Sequence, residues 1–534
     1  MEARPRQLIV AFIILVPLLL SAFPVRALTP EQWKQDLATL RGAIAAHPNP
    51  YAKTSKVALD EAADVLASQL GTLRDYEVVA RMAALVAMLG DGHSRLELPM
   101  AETADLFGTH GKIDKTKIEP FGFFPVRLTR AADGVVVTRA TQEHKDLLGA
   151  QLIGIGDNSI AEVEAALRPF VHGDSAQSQD YLLPSFMVVP ELLTAAGIAP
   201  LEGHLAWRFR LADEKEISRE LVAIHGGVAL QWNALDEIMK PAPDSRHWIT
   251  KLPSGVIHAR LTDILNDRHE TVAQFADKLF AMAEATPDTT LALDLRDNRG
   301  GDNTLADAIV RGAIRTKSLW EPGRFFVLMN PGTFSAASNL VTLLERWTPV
   351  IFIGEPTGGS PNGYGDPKRT VLPNSGLTVR VSSLYWQVSN PKDKRDATAP
   401  LIPAAPNVAA VRAHRDLALD VVNSLLAKPV SATGVFAGQC EIQSQMLKIS
   451  FELTEEQALL NLPALKIANQ PLRDLERHGG TLTGEVMLGD QSLRVHGRIT
   501  VSRFLGWVDF AGRPFAFAAE LASSSSPTPS TSEN

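Results

Sequence analysis

Between residues 291 and 353 short apolar runs alternate with amphipathic helical stretches. This alternation constrains the chain most. Residues 291–295 read as a buried strand, 303–314 as a helix, 325–329 as a strand, 335–347 as a helix and 350–353 as a third strand. A strand buried on both faces needs helices above and below it. The pattern therefore predicts crossover units and an α/β sheet covered by helices. The same region, about 256 to 426, continues with a hairpin at Asn374-Ser375-Gly376, joining 369–372 to 377–382, and closes on a helix over 417–426.

The segments around it differ. Thr29-Pro30-Glu31-Gln32 is a helix start, with Thr at the N-cap, Pro at N1 and Gln at N3 reaching back. From Asp75 to Leu89, Val78, Val79, Met82, Leu85, Val86 and Leu89 fall on one helical face, and the helix ends at Gly90-Asp91-Gly92-His93. Residues 118–230 carry short strand-like runs at 126–128, 135–138, 152–155, 207–211 and 221–224. Gly156-Asp157 followed by helical 160–167 resembles the middle of a PDZ domain. After a linker at Lys428-Pro429, strand-like runs at 438–442, 447–453, 481–488, 492–499, 506–510 and 515–520 predict an antiparallel β domain or small barrel. That part resembles the lipocalin-like β domains appended to some exported hydrolases.

Composition removes several classes of function. With 45% apolar and 21% charged residues the chain is an ordinary packed globular protein. The 52 basic residues are outnumbered by 60 acidic ones, a net charge of −8, so nucleic acid is not expected as a partner. One cysteine, Cys440, excludes an intrachain disulfide and a cysteine zinc site, and none of the 13 histidines lies in an HExxH segment. Neither a metal nor an organic cofactor is expected. Arg4 and Arg6, an apolar run from Leu8 to Leu20 and small residues at Val25 and Ala27 read as a secretory signal peptide over 1–27. The expected location is periplasmic or secreted, without stable membrane insertion after cleavage. The Ser/Thr/Pro-rich 523–534 is an expected disordered tail.

Three segments hold residues able to do chemistry. In Asp294-Leu295-Arg296-Asp297-Asn298-Arg299-Gly300-Gly301 a strand runs into paired glycines, which leave backbone N–H groups bare for an anion, or form only a turn. In Thr333-Phe334-Ser335-Ala336 a serine opens an Ala-rich helix. Such a serine is either an N-cap or a nucleophile beside free N–H groups at the positive end of the helix dipole. In Gly90-Asp91-Gly92-His93 a histidine follows an Asp-Gly turn.

With Gly354-Glu355-Pro356-Thr357-Gly358-Gly359, these segments stand in the order found in the tail-specific and tricorn-core serine peptidases, the C-terminal-processing family. The chain resembles that family over roughly residues 28–426. The resemblance implies Ser335 as nucleophile, with an oxyanion hole from the backbone N–H of Ala336 and that of Gly300 or Gly301. In one branch of the family the base is a lysine about 25 residues after the serine. Ser360 occupies that position here, and the nearest downstream lysine is Lys368. In the tricorn-like branch it is the early histidine, which is His93. A late acidic residue completes that branch's relay. The candidates are Asp393 and Asp396, with Asp393 preferred, although Pro400-Leu401 departs from the family's Pro-Asp.

The expected architecture is multidomain α/β. It comprises a helical part over 28–117, a degenerate PDZ-like domain over 118–230, a crotonase-like catalytic domain over 231–427 and a β domain over 434–522. The expected function is an exported serine peptidase acting on peptide or protein substrates through an acyl-enzyme on Ser335. A catalytically silent peptide-binding protein, or an esterase or amidase using the same site, are the alternatives.

Overall fold

The computed structural model describes residues 27–100, 117–200, 205–226, 230–235, 245–285, 288–426, 430–442, 444–500 and 502–522. The expected signal peptide up to Arg26, the linker at 428–429 and the Ser/Thr/Pro tail lie outside the described residues. None of the described helices is long and apolar enough to cross a membrane.

Three helices open the chain: Pro30–Ala45, Lys56–Gln69 and Asp75–Ala87. The first begins on the capping box read from sequence. Gln32 donates its N–H to Thr29 Oγ1 (3.3 Å) and accepts the Thr29 N–H at Oε1 (2.9 Å). The third buries the predicted face. These helices do not form a core of their own. Trp33, Val79, Met82 and Val86 pack in one cluster with Phe123, Val126 and Trp207 of the middle region.

The middle region is an antiparallel sheet in the order Val126–Ala131, Gly134–Thr141, Gln151–Ile155, Leu205–Arg210, Glu216–Leu221. Ile160–Leu167 is the helix expected after the Gly-Asp turn. The strand expected at 221–224 lies instead at Glu216–Leu221, where a mostly polar edge strand alternating exposed and half-buried residues gives no apolar run to read. The helices Ala176–Met187 and Pro190–Ala195 escape the sequence reading, since Pro184 inside the first reads as a breaker and the second is only six residues long with no side-chain cap.

The α/β region follows its pattern closely. Six strands lie in the order Ile402–Pro403, Ile351–Gly354, Phe325–Met329, Leu291–Asp294, Ile257–Leu261, His247–Lys251, and all pairs are parallel except the last. Helices Val272–Ala285, Asn303–Arg315 and Ala336–Trp347 cover one face. The other face packs on helix Leu417–Ser424 and on Leu505, Ala516 and Ala518 of the C-terminal sheet. That sheet has nine antiparallel strands and is nearly closed, with Phe436, Phe451, Phe504 and Phe517 filling its interior. Three of its strands, Ala458–Leu462, Ile467–Pro471 and Arg473–His478, were not expected; the last two are mostly exposed and polar.

The hairpin across Asn374-Ser375-Gly376 forms as read, pairing Lys368–Val371 with Thr378–Val381. It also takes on a third strand, Arg95–Leu96, paired antiparallel to Thr378–Val381. The Asn374 and Ser375 N–H groups donate to Asp36 of the first helix at 2.8 Å. Residues just after the Gly90–His93 turn are thereby sewn to a hairpin nearly 300 positions later.

Candidate active site

Ser335 sits where strand Phe325–Met329 has ended and helix Ala336–Trp347 begins. Its backbone is in the left-handed half of conformational space (φ 56°, ψ −128°), an uncommon state for a residue with a side chain. Its side chain makes no capping hydrogen bond to the helix. The hydroxyl turns outward instead, and Ser335 Oγ lies 2.9 Å from His93 Nε2. The cap reading of this serine therefore fails. The His93 ring packs on Phe334, with centroids 4.4 Å apart.

The loops beneath the serine are tied together by Asn298. Its side chain donates to the Leu261 carbonyl (2.9 Å) and accepts the Gly300 N–H (3.0 Å), while its own carbonyl accepts the Phe334 N–H (2.9 Å). Gly300 is needed for its small size: at φ 101° an added Cβ would stand 2.5 Å from Ser335 Cβ. Because Asn298 takes the Gly300 N–H, Gly300 is not free to serve as an oxyanion donor. Gly301 lines the same cleft as Ser335 and His93, and no described acceptor takes its N–H; the Ala336 N–H lies in the first turn of the helix, where no intrahelical partner exists. Of the three expected oxyanion residues, Gly301 and Ala336 keep available N–H groups.

The acid is not where the sequence reading put it. Asp393 binds Arg395 (2.9 Å) and the Ser389 hydroxyl (2.7 Å), in a cluster where the same guanidinium meets Glu345 and Glu441. Burial works against its charge, but the Arg395 and Ser389 hydrogen bonds bring its pKa down to about 2. Asp396 is half exposed and pairs with Lys53 at 2.6 Å. Neither contacts His93. The carboxylate beside His93 is Asp91, two residues earlier in the chain and 2% exposed. Its Oδ1 accepts the His93 backbone N–H (2.9 Å) and stands 3.8 Å from His93 Nδ1. Its Oδ2 accepts the Ser94 hydroxyl and lies 3.3 Å from His47 Nε2. His47 Nδ1 accepts the Asn49 N–H (3.1 Å), which places the His47 proton on Nε2, facing Asp91. Ser94 Oγ in turn accepts the Ser382 N–H (3.0 Å) from beyond the hairpin.

Burial disfavours a charged Asp91, but His47, His93 and the serines outweigh it and hold its pKa below the usual value. His93 is pushed down, chiefly by burial, with Asp91 pulling it upward. A neutral imidazole beside a hydroxyl, with an anion on its far side, can accept a proton and stabilise the cation formed. Lys368 stands exposed on its strand. Asp294 and Arg296 serve as a brace. Burial opposes the Asp294 charge, yet Arg296 and Arg260 hold it ionised, and Arg296 reaches on to Asp416.

The cleft at Ser335 encloses about 190 Å³ and is walled by His93, Asp174, Tyr364 and Trp386. Larger cavities of about 850 Å³ and 780 Å³ lie at the Arg395 cluster and beside Arg296, and neither includes the serine. Among the described residues no three His, Cys, Asp or Glu side chains gather as a metal-holding group.

No family model matches the chain, and no curated protein matches it. Solved structures do. Mature CPAF complexed with lactacystin matches at TM-score 0.51 and 12% identity, over 74% of this chain and 98% of that one. Mature CPAF alone matches at TM-score 0.51 and 12% identity, over 74% and 97%. A photosystem II D1 C-terminal processing protease matches at 12% identity and a TM-score of 0.35, over 74% of this chain and 97% of that one. The chain shares the fold of mature CPAF over the 74% matched, and is mixed α/β with a C-terminal antiparallel β domain.

Proposed function

We propose that this chain is a serine peptidase of the tail-specific, C-terminal-processing family that cleaves peptide bonds through an acyl-enzyme on Ser335. The observation that carries the reading is the 2.9 Å contact between Ser335 Oγ and His93 Nε2, made by a serine held at φ 56°. Four sequence segments in the family's order and a shared fold with CPAF support it. In the reaction, Ser335 Oγ attacks the carbonyl carbon while His93 Nε2 takes the hydroxyl proton. The carbonyl oxygen becomes an oxyanion held by the Gly301 and Ala336 N–H groups. Asp91 offsets the charge of the imidazolium. His93 then returns the proton to the leaving nitrogen, the C–N bond breaks, and water repeats the sequence to release the acid.

Within this reading the six-stranded sheet with its helices is a crotonase-like catalytic part, and the middle antiparallel sheet with helix Ile160–Leu167 is a degenerate PDZ-like module that presents peptide. The leader over 1–27 directs export to the periplasm or beyond. The test is labelling of the protein with a fluorophosphonate, followed by peptide mapping. Modification of Ser335, lost in Ser335→Ala and slowed in His93→Ala, is expected. An unlabelled Ser335 with no peptide hydrolysis would return the chain to a silent peptide-binding protein. Turnover of small esters without turnover of any peptide would make it an esterase.

A further inference from the structure

The segment between the short turn Arg168–Phe170 and helix Ala176–Met187 belongs to none of the recognised motifs, yet it enters the cleft. Asp174 Oδ1 accepts the Gly92 N–H at 2.6 Å, and Oδ2 accepts the Ser360 N–H at 3.2 Å. Gly92 immediately precedes His93. It is sandwiched, since an added Cβ would stand 2.7 Å from Phe334 Cζ and 3.2 Å from Asp174 Oδ1. The helix that follows is fixed by a capping box at Ser175, so Asp174 projects from the start of a firmly held element. One turn and a half along, Tyr181 donates its hydroxyl to Asp297 Oδ1 (2.9 Å), in the segment leading to Gly300-Gly301. One helix of the middle region thus touches the histidine turn at its start and the glycine loop farther along.

Building on the peptidase reading above, we propose that Asp174 is a positioning residue for the Ser335–His93 pair: by gripping the Gly92 and Ser360 amides it holds the histidine turn against the cleft wall and keeps Nε2 within reach of Ser335 Oγ. The carboxylate is placed at some cost. Burial first and the negative charge of Asp91 second push it up to about 7, against the pull of the two amides and Lys53. The folded state therefore binds this proton more tightly than the unfolded chain, so the site's contribution to stability falls as pH rises from the ordinary aspartate range through about 7. A group placed for packing alone would gain stability in its neutral isostere with no loss of turnover.

An asparagine has one acceptor where Asp174 has two, so Asp174→Asn must release one amide. The expected result is a fall in kcat of about tenfold to a hundredfold, the usual penalty for a displaced catalytic group, with KM within about twofold and a Tm at or above wild type at pH 8. The decisive measurement is a double-mutant cycle with His93→Ala. If Asp174 acts through His93, Asp174→Asn costs nothing further in the His93→Ala background. Wild-type kcat in Asp174→Asn, or the same fold loss with and without His93, would overturn the proposal. Should the asparagine variant not fold, Asp174→Glu keeps both acceptors but displaces Gly92 by a methylene. The same kcat-only loss is expected there, and unchanged kcat would again overturn it. The peptidase reading fails separately, if Ser335→Ala or His93→Ala retains full turnover whatever Asp174 does.

Discussion

The replacement Asp91→Asn tests the assignment of the acid. Asparagine keeps the shape of the side chain and an oxygen for the His93 backbone N–H; its amide replaces the Oδ2 acceptor, so the Ser94 hydroxyl must turn and the His47 imidazole must change tautomer as the charge is removed. The charge matters most when His93 becomes an imidazolium, 3.8 Å from Asp91 Oδ1. Coulomb's law gives ~1 kcal/mol for that pair in water and ~4 kcal/mol at an effective dielectric of about 20. Asp91 is 2% exposed, which favours the larger figure. Losing it from the transition state slows turnover by about sixfold at the low end and about a thousandfold at the high end. The variant should also move the acid limb of the pH–rate profile. Burial already holds the His93 pKa low and Asp91 pulls it up, so without the anion it falls further and the limb shifts to lower pH. The assay is kcat/KM on one peptide substrate from pH 5 to 9, beside Asp393→Asn, with thermal unfolding to confirm the fold. Asp393 is committed to Arg395 and Ser389, so its variant should turn over at near wild-type rate. Collapse in Asp393→Asn with normal turnover in Asp91→Asn would refute the reasoning.

Gly300→Ala should reduce fluorophosphonate labelling and turnover on the order of a hundredfold, because its Cβ would stand 2.5 Å from Ser335 Cβ; unaltered labelling kinetics would show that the loop yields freely. At the junction with the C-terminal sheet, burial and the neighbouring Glu345 raise the Glu441 pKa well above the usual value, with Arg395 opposing them. Stability from the protonated Glu441 is present at low pH and is lost as pH rises through its raised pKa. The Tm of Glu441→Gln should therefore rise above wild type by a few degrees as pH increases from the ordinary carboxylate range toward 8, and a pH-independent difference between the two would contradict this. If the proposed leader is cleaved, mass spectrometry of the protein recovered from expressing cells should find Leu28 at the N-terminus, whereas an intact Met1 in the membrane fraction would speak against the leader.

Local order determined what the residues alone reveal. The strand–helix alternation from 291 to 353 follows from runs of apolar residues whose period is set by the backbone, so it survives without knowledge of the fold. The hairpin at Asn374-Ser375-Gly376, the Thr29 cap and Ser335 at a strand-to-helix junction are equally local. Pro184 within helix Ala176–Met187 and the short uncapped span of Pro190–Ala195 hid these elements, because local propensity there is overruled by burial of Leu182, Leu183, Leu192 and Leu193. The site itself was half legible. Ser335, His93, Gly301 and Ala336 could be named from segments in order, but their partners could not. Which carboxylate faces His93 depends on Arg95–Leu96 joining Thr378–Val381 and on His47 and Ser94 closing around Asp91. Asp393, the preferred acid, and Asp396 both lie in a loop that sequence leaves unassigned, yet Arg395 and Lys53 hold them elsewhere. Asp174 reaches the cleft only because the middle region packs against the turn from 82 positions away. A side chain's neighbours along the chain set its secondary structure; the charges it meets are set by contacts between segments far apart in sequence, and those exist only once the core has formed.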